Sequence, residues 1–113
     1  MLIVLLDEPG VFVFASTTEA AQYIEPIDAE SEIRAAFDED AVPCRVDWLR
    51  PNERGRLSVK PGAYQFVPAG PADPAALVRV LEQHLEFAQP HDSAETLKGV
   101  LARWKAVSGA NLA

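Results

Sequence analysis

VFVFASTTEAAQYIEPID, Val11 to Asp28, decides how this chain of 113 residues is read. Val11, Phe12, Val13 and Phe14 are β-branched or aromatic, the types that suit a pleated, packed surface, and they predict a strand. All four are apolar, which fits a strand covered on both faces. Ser16 then stands at an N-cap position with Glu19 three residues on. That is the spacing of a capping box, in which the Glu19 amide donates to the Ser16 hydroxyl and the Ser16 amide donates to the Glu19 carboxylate. Such a cap contributes about 1 kcal/mol. Ala20, Ala21, Tyr23 and Ile24 give the helix a short apolar face, and Pro26 drives Glu25 out of the helical conformation. A helix of about two turns does not persist alone, so it must dock, and the preceding strand is the expected surface.

On the N-terminal side, Leu2 to Leu6 predicts a first strand and Asp7-Glu8-Pro9-Gly10 a type II turn, giving an antiparallel hairpin. On the other side, Ile33, Ala35 and Phe37 alternate with Glu32, Arg34 and Ala36, the period of a half-buried strand. A short helix from Ser31 to Phe37, capped by Ser31, is the competing reading. Asp38-Glu39-Asp40 is a polar turn, and Cys44, Val46 and Trp48 alternate with Arg45, Asp47 and Leu49, so a second hairpin is expected. Pro51 to Gly55 reads as a loop, Leu57 and Val59 as a short strand, Pro61-Gly62 as a turn and Tyr64 to Val67 as another strand.

Two helices close the chain. Asp73 caps the first, with Pro74 at its first position, where a missing N–H costs nothing. Leu77, Val78, Val80, Leu81, Leu85, Phe87 and Ala88 share one arc of it, and Pro90 ends it. The last helix is capped by Asp92 or Ser93, carries Ala94, Leu97, Val100, Leu101, Trp104 and Val107 in a stripe, and stops at Ser108-Gly109. The expected architecture is a single α+β domain over residues 1–113. It has a mostly antiparallel sheet of five or six strands, a short capped helix, and two C-terminal amphipathic helices on one face.

Composition narrows the function. The chain is 49% hydrophobic with a mean hydropathy of −0.01, ordinary for a globular domain. The net charge of −7 opposes nucleic-acid binding through the long-range field. No apolar run approaches membrane-spanning length. Met1 to Leu6 is too short, and too closely followed by Asp7 and Glu8, for a signal peptide, so a cytoplasmic location is expected. The single Cys44 excludes an internal disulfide and a multi-cysteine zinc site, and its alternation with Val46 and Trp48 predicts a buried small hydrophobe. No cofactor and no metal site are expected.

The stretch VFVFASTTEAAQYIEPID also resembles a loose group of small, mostly uncharacterised bacterial proteins. They share an aromatic strand, Ser-x-x-Glu-x-Ala, a short helix and Glu-x-Ile-Asp, followed by an acidic hairpin, here Glu32-Ile-Arg-Ala-Ala-Phe37-Asp38. Some of the group look like immunity proteins, which neutralise secreted toxins. The resemblance covers the first third of the chain and contains no catalytic motif, so what it implies is a binding role. The chain departs from the pattern at Ala41, where a glycine would make a tighter turn.

The strongest unusual feature is acidic. Glu25, Asp28, Glu30, Glu32, Asp38, Glu39 and Asp40 stand against Arg34 alone, a net −6 over residues 25–40. They are the candidate surface for a basic protein partner, whose encounter such charge would speed; the plainer reading is a solvated edge that keeps the protein soluble. Asp38 to Asp40 lack the spacing of a calcium loop. Arg45, Arg50, Arg54, Arg56 and Lys60 follow with only Asp47 and Glu53 against them, and surface pairing with the acidic stretch is the expectation for them. Leu97, Leu101 and Trp104 are candidates for a two-fold homodimer if the preceding helix alone covers the sheet. Two helices side by side on one sheet face is the alternative. His84 and His91 support a second function class, a small-molecule binder or small enzyme, because they titrate near neutrality. His84 falls on the apolar arc of its helix, where a satisfied core histidine is the commoner outcome.

Overall fold

A computed structural model describes residues 1–7, 10–89 and 93–112, with side chains through Val107. The chain is α+β and its sheets are mostly antiparallel. β1 (Leu2–Leu6) pairs antiparallel with β2 (Gly10–Phe14) and, on its other edge, with β3 (Ile33–Asp38). Between β2 and β3 lie α1 (Thr17–Tyr23) and α2 (Pro26–Ala29). β4 (Cys44–Arg50) pairs with β7 (Ala63–Pro68), and between them β5 (Glu53–Arg54) pairs with β6 (Val59–Lys60). α3 (Pro74–His84) is followed by a 3-10 turn over Leu85–Phe87, the two-residue β8 (Ala88–Gln89) and α4 (Ser93–Leu112). β8 adds to β2 in parallel, so the first sheet has the order β3-β1-β2-β8.

The single sheet of five or six strands is therefore corrected. The strands divide among three sheets because the second hairpin does not zip. β3 is a strand, as its alternation predicted, but it meets the next strand at one bridge only, Phe37 opposite Pro43. Pro43 has no N–H to give to a ladder. The Pro43 carbonyl accepts instead from the Ala69 amide, and the Ala41 carbonyl from the Asp73 amide. The 69–73 connector thus ties the turn to the end of β7, and β4 follows β7.

Alternation on β1 makes the layers. Leu2 and Val4 face one side with Phe14, Ala20, Ile24, Tyr64 and Phe66; Ile3 and Leu5 face the other with Val11, Leu77, Leu81 and Leu97. The central sheet is so covered by β4, β7, α1 and α2 on one face and by α3 and α4 on the other. A register shift at Leu5/Leu6 corrects the alternation expected for β3. Ala35 and Phe37 face the helices, but Ile33 packs on the opposite side, and Arg34 turns out to the Asp7 carboxylate.

Local expectations fare unevenly. The Glu19 amide donates to the Ser16 hydroxyl at 3.1 Å, but the Glu19 carboxylate accepts from the Ala15 amide at 2.8 Å, one residue before the capping-box position. α1 docks on β7 as well as on β2, where the Tyr23 ring lies 5.5 Å from that of Phe14. Pro26 both ends α1 and starts α2 at its first position, so the chain turns there without a loop. Glu53–Arg54 pairs as a strand where a loop was expected, and Val59 pairs in β6 without Leu57. α3 stops four residues before Ala88, which joins the sheet rather than the helical arc. α4 continues through Ser108 and Gly109 to Leu112. Gly10, expected at the centre of the first turn, opens β2, while Glu8 and Pro9, the stop at Pro90, the cap at Asp92 and His91 lie outside the described residues.

Candidate functional site

The acidic residues do not form one surface. β3 runs between them and sets Glu25, Asp28, Glu30 and Glu32 at one end and Asp38, Glu39 and Asp40 at the other. At a rise of about 3.3 Å per residue the two ends stand roughly 17 Å apart. Asp38 is spent on the turn, where its Oδ1 accepts from the Asp40 amide at 2.8 Å and the Val42 amide at 3.0 Å. Glu39 pairs with the Met1 ammonium at 3.0 Å. Glu25, Asp28 and Asp40 are exposed and make no ion pair among the described residues.

Glu30 is held by groups the sequence reading had assigned to a plain loop. It accepts from Asn52 Nδ2 at 2.7 Å and from Arg54 Nη2 at 2.9 Å. These bonds, that of Asn52 first, hold its carboxyl below the usual range. The same Asn52 amide donates to the Pro26 carbonyl at 2.9 Å, and Asn52 Oδ1 accepts from the Gly62 amide at 2.8 Å. Asn52 therefore ties α2, the β5–β6 hairpin and the start of β7 together. Gly62 is required there, because a Cβ would lie 2.1 Å from the Arg50 carbonyl oxygen. The Arg54 pair is the surface pairing with the acidic stretch that the sequence leads one to expect, whereas the Asn52 ties leave only the signal of an asparagine beside a proline in a turn-rich segment.

Where β3 and β4 diverge, a cleft of about 310 Å³ opens. Ile33, Ala36, Cys44, Val46 and Trp48 line it together with the charged Glu30, Arg34 and Arg45, so its wall is mixed. A smaller hollow of about 140 Å³ continues past Trp48 to Pro51 and Asn52. β1 is the only strand neighbour of β3 in its sheet, and from Ile33 to Ala36 the other edge carries no strand partner among the described residues. The backbone groups that point away from β1 have no ladder partner there, on a stretch that runs from half-buried Ile33 and exposed Arg34 to buried Ala36. Cys44 is half-buried in this cleft; burial, then the nearby Asp38 charge, pushes its thiol up, so it is a poor nucleophile at neutral pH. Of the cations, Arg54 reaches Glu30 and Arg45 lies 3.7 Å from Asp47.

The other candidates lie elsewhere. Leu97 is fully buried on the helical face, and Val100, Leu101 and Trp104 pack against the same cluster. Lys105 bonds Glu82 at 3.2 Å, joining α4 to α3. The last stripe thus has its partner within the chain, because both helices share one sheet face. His84 is half-buried at the end of α3 and lines neither described cavity. Among the described residues no cluster of three or more histidine, cysteine, aspartate or glutamate side chains is arranged to hold a metal ion, and no helix is long and apolar enough to cross a membrane. Set against protein-family models, curated proteins and solved structures, the chain finds no match in any of the three.

Proposed function

We propose that the chain is a non-catalytic, cytoplasmic protein-binding module of the immunity type, which takes a basic, extended segment of its partner along the open edge of β3. The observation that carries this is the edge from Ile33 to Ala36, without a strand partner among the described residues, beside a cleft of mixed polar and apolar lining. An added strand gains main-chain hydrogen bonds from such an edge, and the cleft receives alternate side chains. The carboxylates at the two ends of β3 steer a cationic segment into register and quicken its encounter. A partner held this way is blocked by occlusion, with no chemistry required of the module.

The test uses the partner captured from the native host. Glu32→Lys with Asp40→Lys changes one acid at each end whose carboxylate makes no hydrogen bond among the described residues. Its association rate should fall about tenfold at low salt and converge with wild type at high salt. Hydrogen exchange at Ile33 to Ala36 should slow when the partner binds. Binding that leaves both the rate and these amides unchanged refutes the edge as the site.

A further inference from the structure

The segment from Leu49 to Lys60 leaves the sandwich as an arm. A register shift between Trp48 and Arg50 deprives Leu49 of a cross-strand partner and leaves it 64% exposed. At the tip Leu57 is 98% exposed, and Val59 behind it 45%. Three large apolar side chains exposed within one twelve-residue segment are more than the solitary exposed leucine that is unremarkable on a protein surface. The arm is also basic. Arg50, Arg56 and Lys60 have no ion-pair partner among the described residues; Arg54, the remaining cation, is taken by Glu30.

The complement to this surface stands beside the arm's own base. Tyr23 on α1 is 64% exposed, and Glu25 and Asp28 follow it as exposed, unpaired acids. The hydrogen bond from Asn52 to the Pro26 carbonyl places the arm's root against this segment, while the close approach of Gly62 to Arg50 and Pro51 fixes the direction in which the arm leaves. Among the described residues, Arg54 is the one cation of the arm that reaches back to an acid of the body. A basic apolar patch and an acidic apolar patch side by side on one surface are self-complementary, because a two-fold rotation lays each on the other.

We infer that the arm is the interface of a two-fold dimer of this chain, each arm lying against the Tyr23 to Asp28 segment of the other copy. Charge chooses the occupant. Residues 50–60 carry a net +3 on a chain of net −7, and a second copy offers both the acids for the arm and the cations for the body. This interface leaves the backbone edge of β3 free, although Glu25 and Asp28 also belong to the acids at one end of that strand, and its test contains no other protein.

Sedimentation velocity across a dilution series, at low salt and at about 0.5 M salt, reads the outcome. Wild type should be a dimer whose dissociation constant rises about tenfold with salt. Leu57→Asp, Arg56→Glu with Lys60→Glu, and Glu25→Lys with Asp28→Lys should each weaken the dimer about tenfold or more, with an unchanged circular dichroism spectrum because these side chains are exposed. Mixing the arm-reversed variant with the body-reversed variant should restore the dimer, since every mispaired contact is then matched. A wild type that stays monomeric at all concentrations overturns the inference. So does a dimer indifferent to Leu57→Asp, or a mixture that fails to re-form it.

Discussion

Replacing Asn52 with Ala should cost far more stability than its half-buried position in a turn-rich segment implies. The side chain makes three hydrogen bonds, to the Pro26 carbonyl, to the Glu30 carboxylate and from the Gly62 amide. Gly62 is buried, so its amide would be left unpaired without easy access to water, a loss of about 1–3 kcal/mol. The bond to the Pro26 carbonyl ends on a group that water can reach and adds roughly 0.5–1 kcal/mol net, while the one to the exposed Glu30 carboxylate adds little. Asn52→Ala is thus expected to destabilise by about 2–4 kcal/mol. With a urea slope of about 1–2 kcal/mol per molar for a domain of this size, the midpoint should fall by roughly 2 M. Arg54→Ala removes an exposed ion pair to the same Glu30 and should cost no more than about 1 kcal/mol. The two variants separate a structural tie from surface charge. Equal losses for both, within about 0.5 kcal/mol, would refute the assignment of Asn52 as the residue that fixes the arm. The Glu30 carboxyl gives an independent reading by NMR titration, because its first-named depressing cause is the Asn52 bond. In Asn52→Ala its pKa should rise toward the ordinary carboxylate value. As a depressed carboxylate, Glu30 favours the fold above its unfolded pKa, and that contribution fades as pH falls through the folded one.

Two further outcomes follow from the core. Burial, and then the charge of Asp28, push the Tyr64 phenol up to about 12, and its hydroxyl donates to the Ile24 carbonyl that closes α1. The folded state therefore holds this proton more tightly, so its contribution is full below about pH 10 and is lost as pH rises toward 12. Tyr64→Phe should cost about 1 kcal/mol at pH 7 and flatten that alkaline loss in urea titrations; an unchanged alkaline slope contradicts the assignment. Trp104 packs on the helical face with its Nε1 buried and without a hydrogen-bond partner among the described residues, under the Arg103 guanidinium at 4.5 Å from the ring. Trp104→Phe should accordingly be near neutral, while Trp104→Ala should cost about 2–4 kcal/mol of fold stability; similar losses in both would show that the indole N–H is satisfied.

Much of the fold was legible because local signals agreed with one another. The Ser16 cap, the Asp73-Pro74 helix start and the strand character of β3 each rest on neighbours in sequence, and each stands in the structure, although the register shift moves Ile33 off the face its alternation predicted. What was not legible depends on distant partners. Nothing around Cys44 says that its strand abandons β3 for β7; the connector at 69–73 does that by binding the Ala41 and Pro43 carbonyls. Ala88 looks like the end of a helical arc and becomes a strand, because β2 has an open edge there. Ala41 is the instructive intermediate. Its position was flagged as one suited to glycine, and its φ is indeed +61°. The chain keeps alanine there at a cost of roughly 1 kcal/mol or more in backbone strain. The fully buried Ala41 methyl, packed with Phe37 and Leu77, offsets most of it by apolar contact.

The candidate site was harder to read than the fold for a reason that lies in the strand itself. A net −6 over residues 25–40 looks like one patch only if the segment is compact. A strand through Ile33 to Asp38 excludes that, since its ends are separated by about two screening lengths at physiological salt. The two readings of one segment, a strand and a single acidic surface, were incompatible from the start. Once the strand is accepted, the charges must act as two independent groups, and what lies between them becomes the feature of interest. That is the outer edge from Ile33 to Ala36, which has no strand partner among the described residues and carries no charge of its own except Arg34, already bound to Asp7. An edge of this kind leaves no trace in composition. It exists only because a proline opposite Phe37 and a connector thirty residues away draw the neighbouring strand aside.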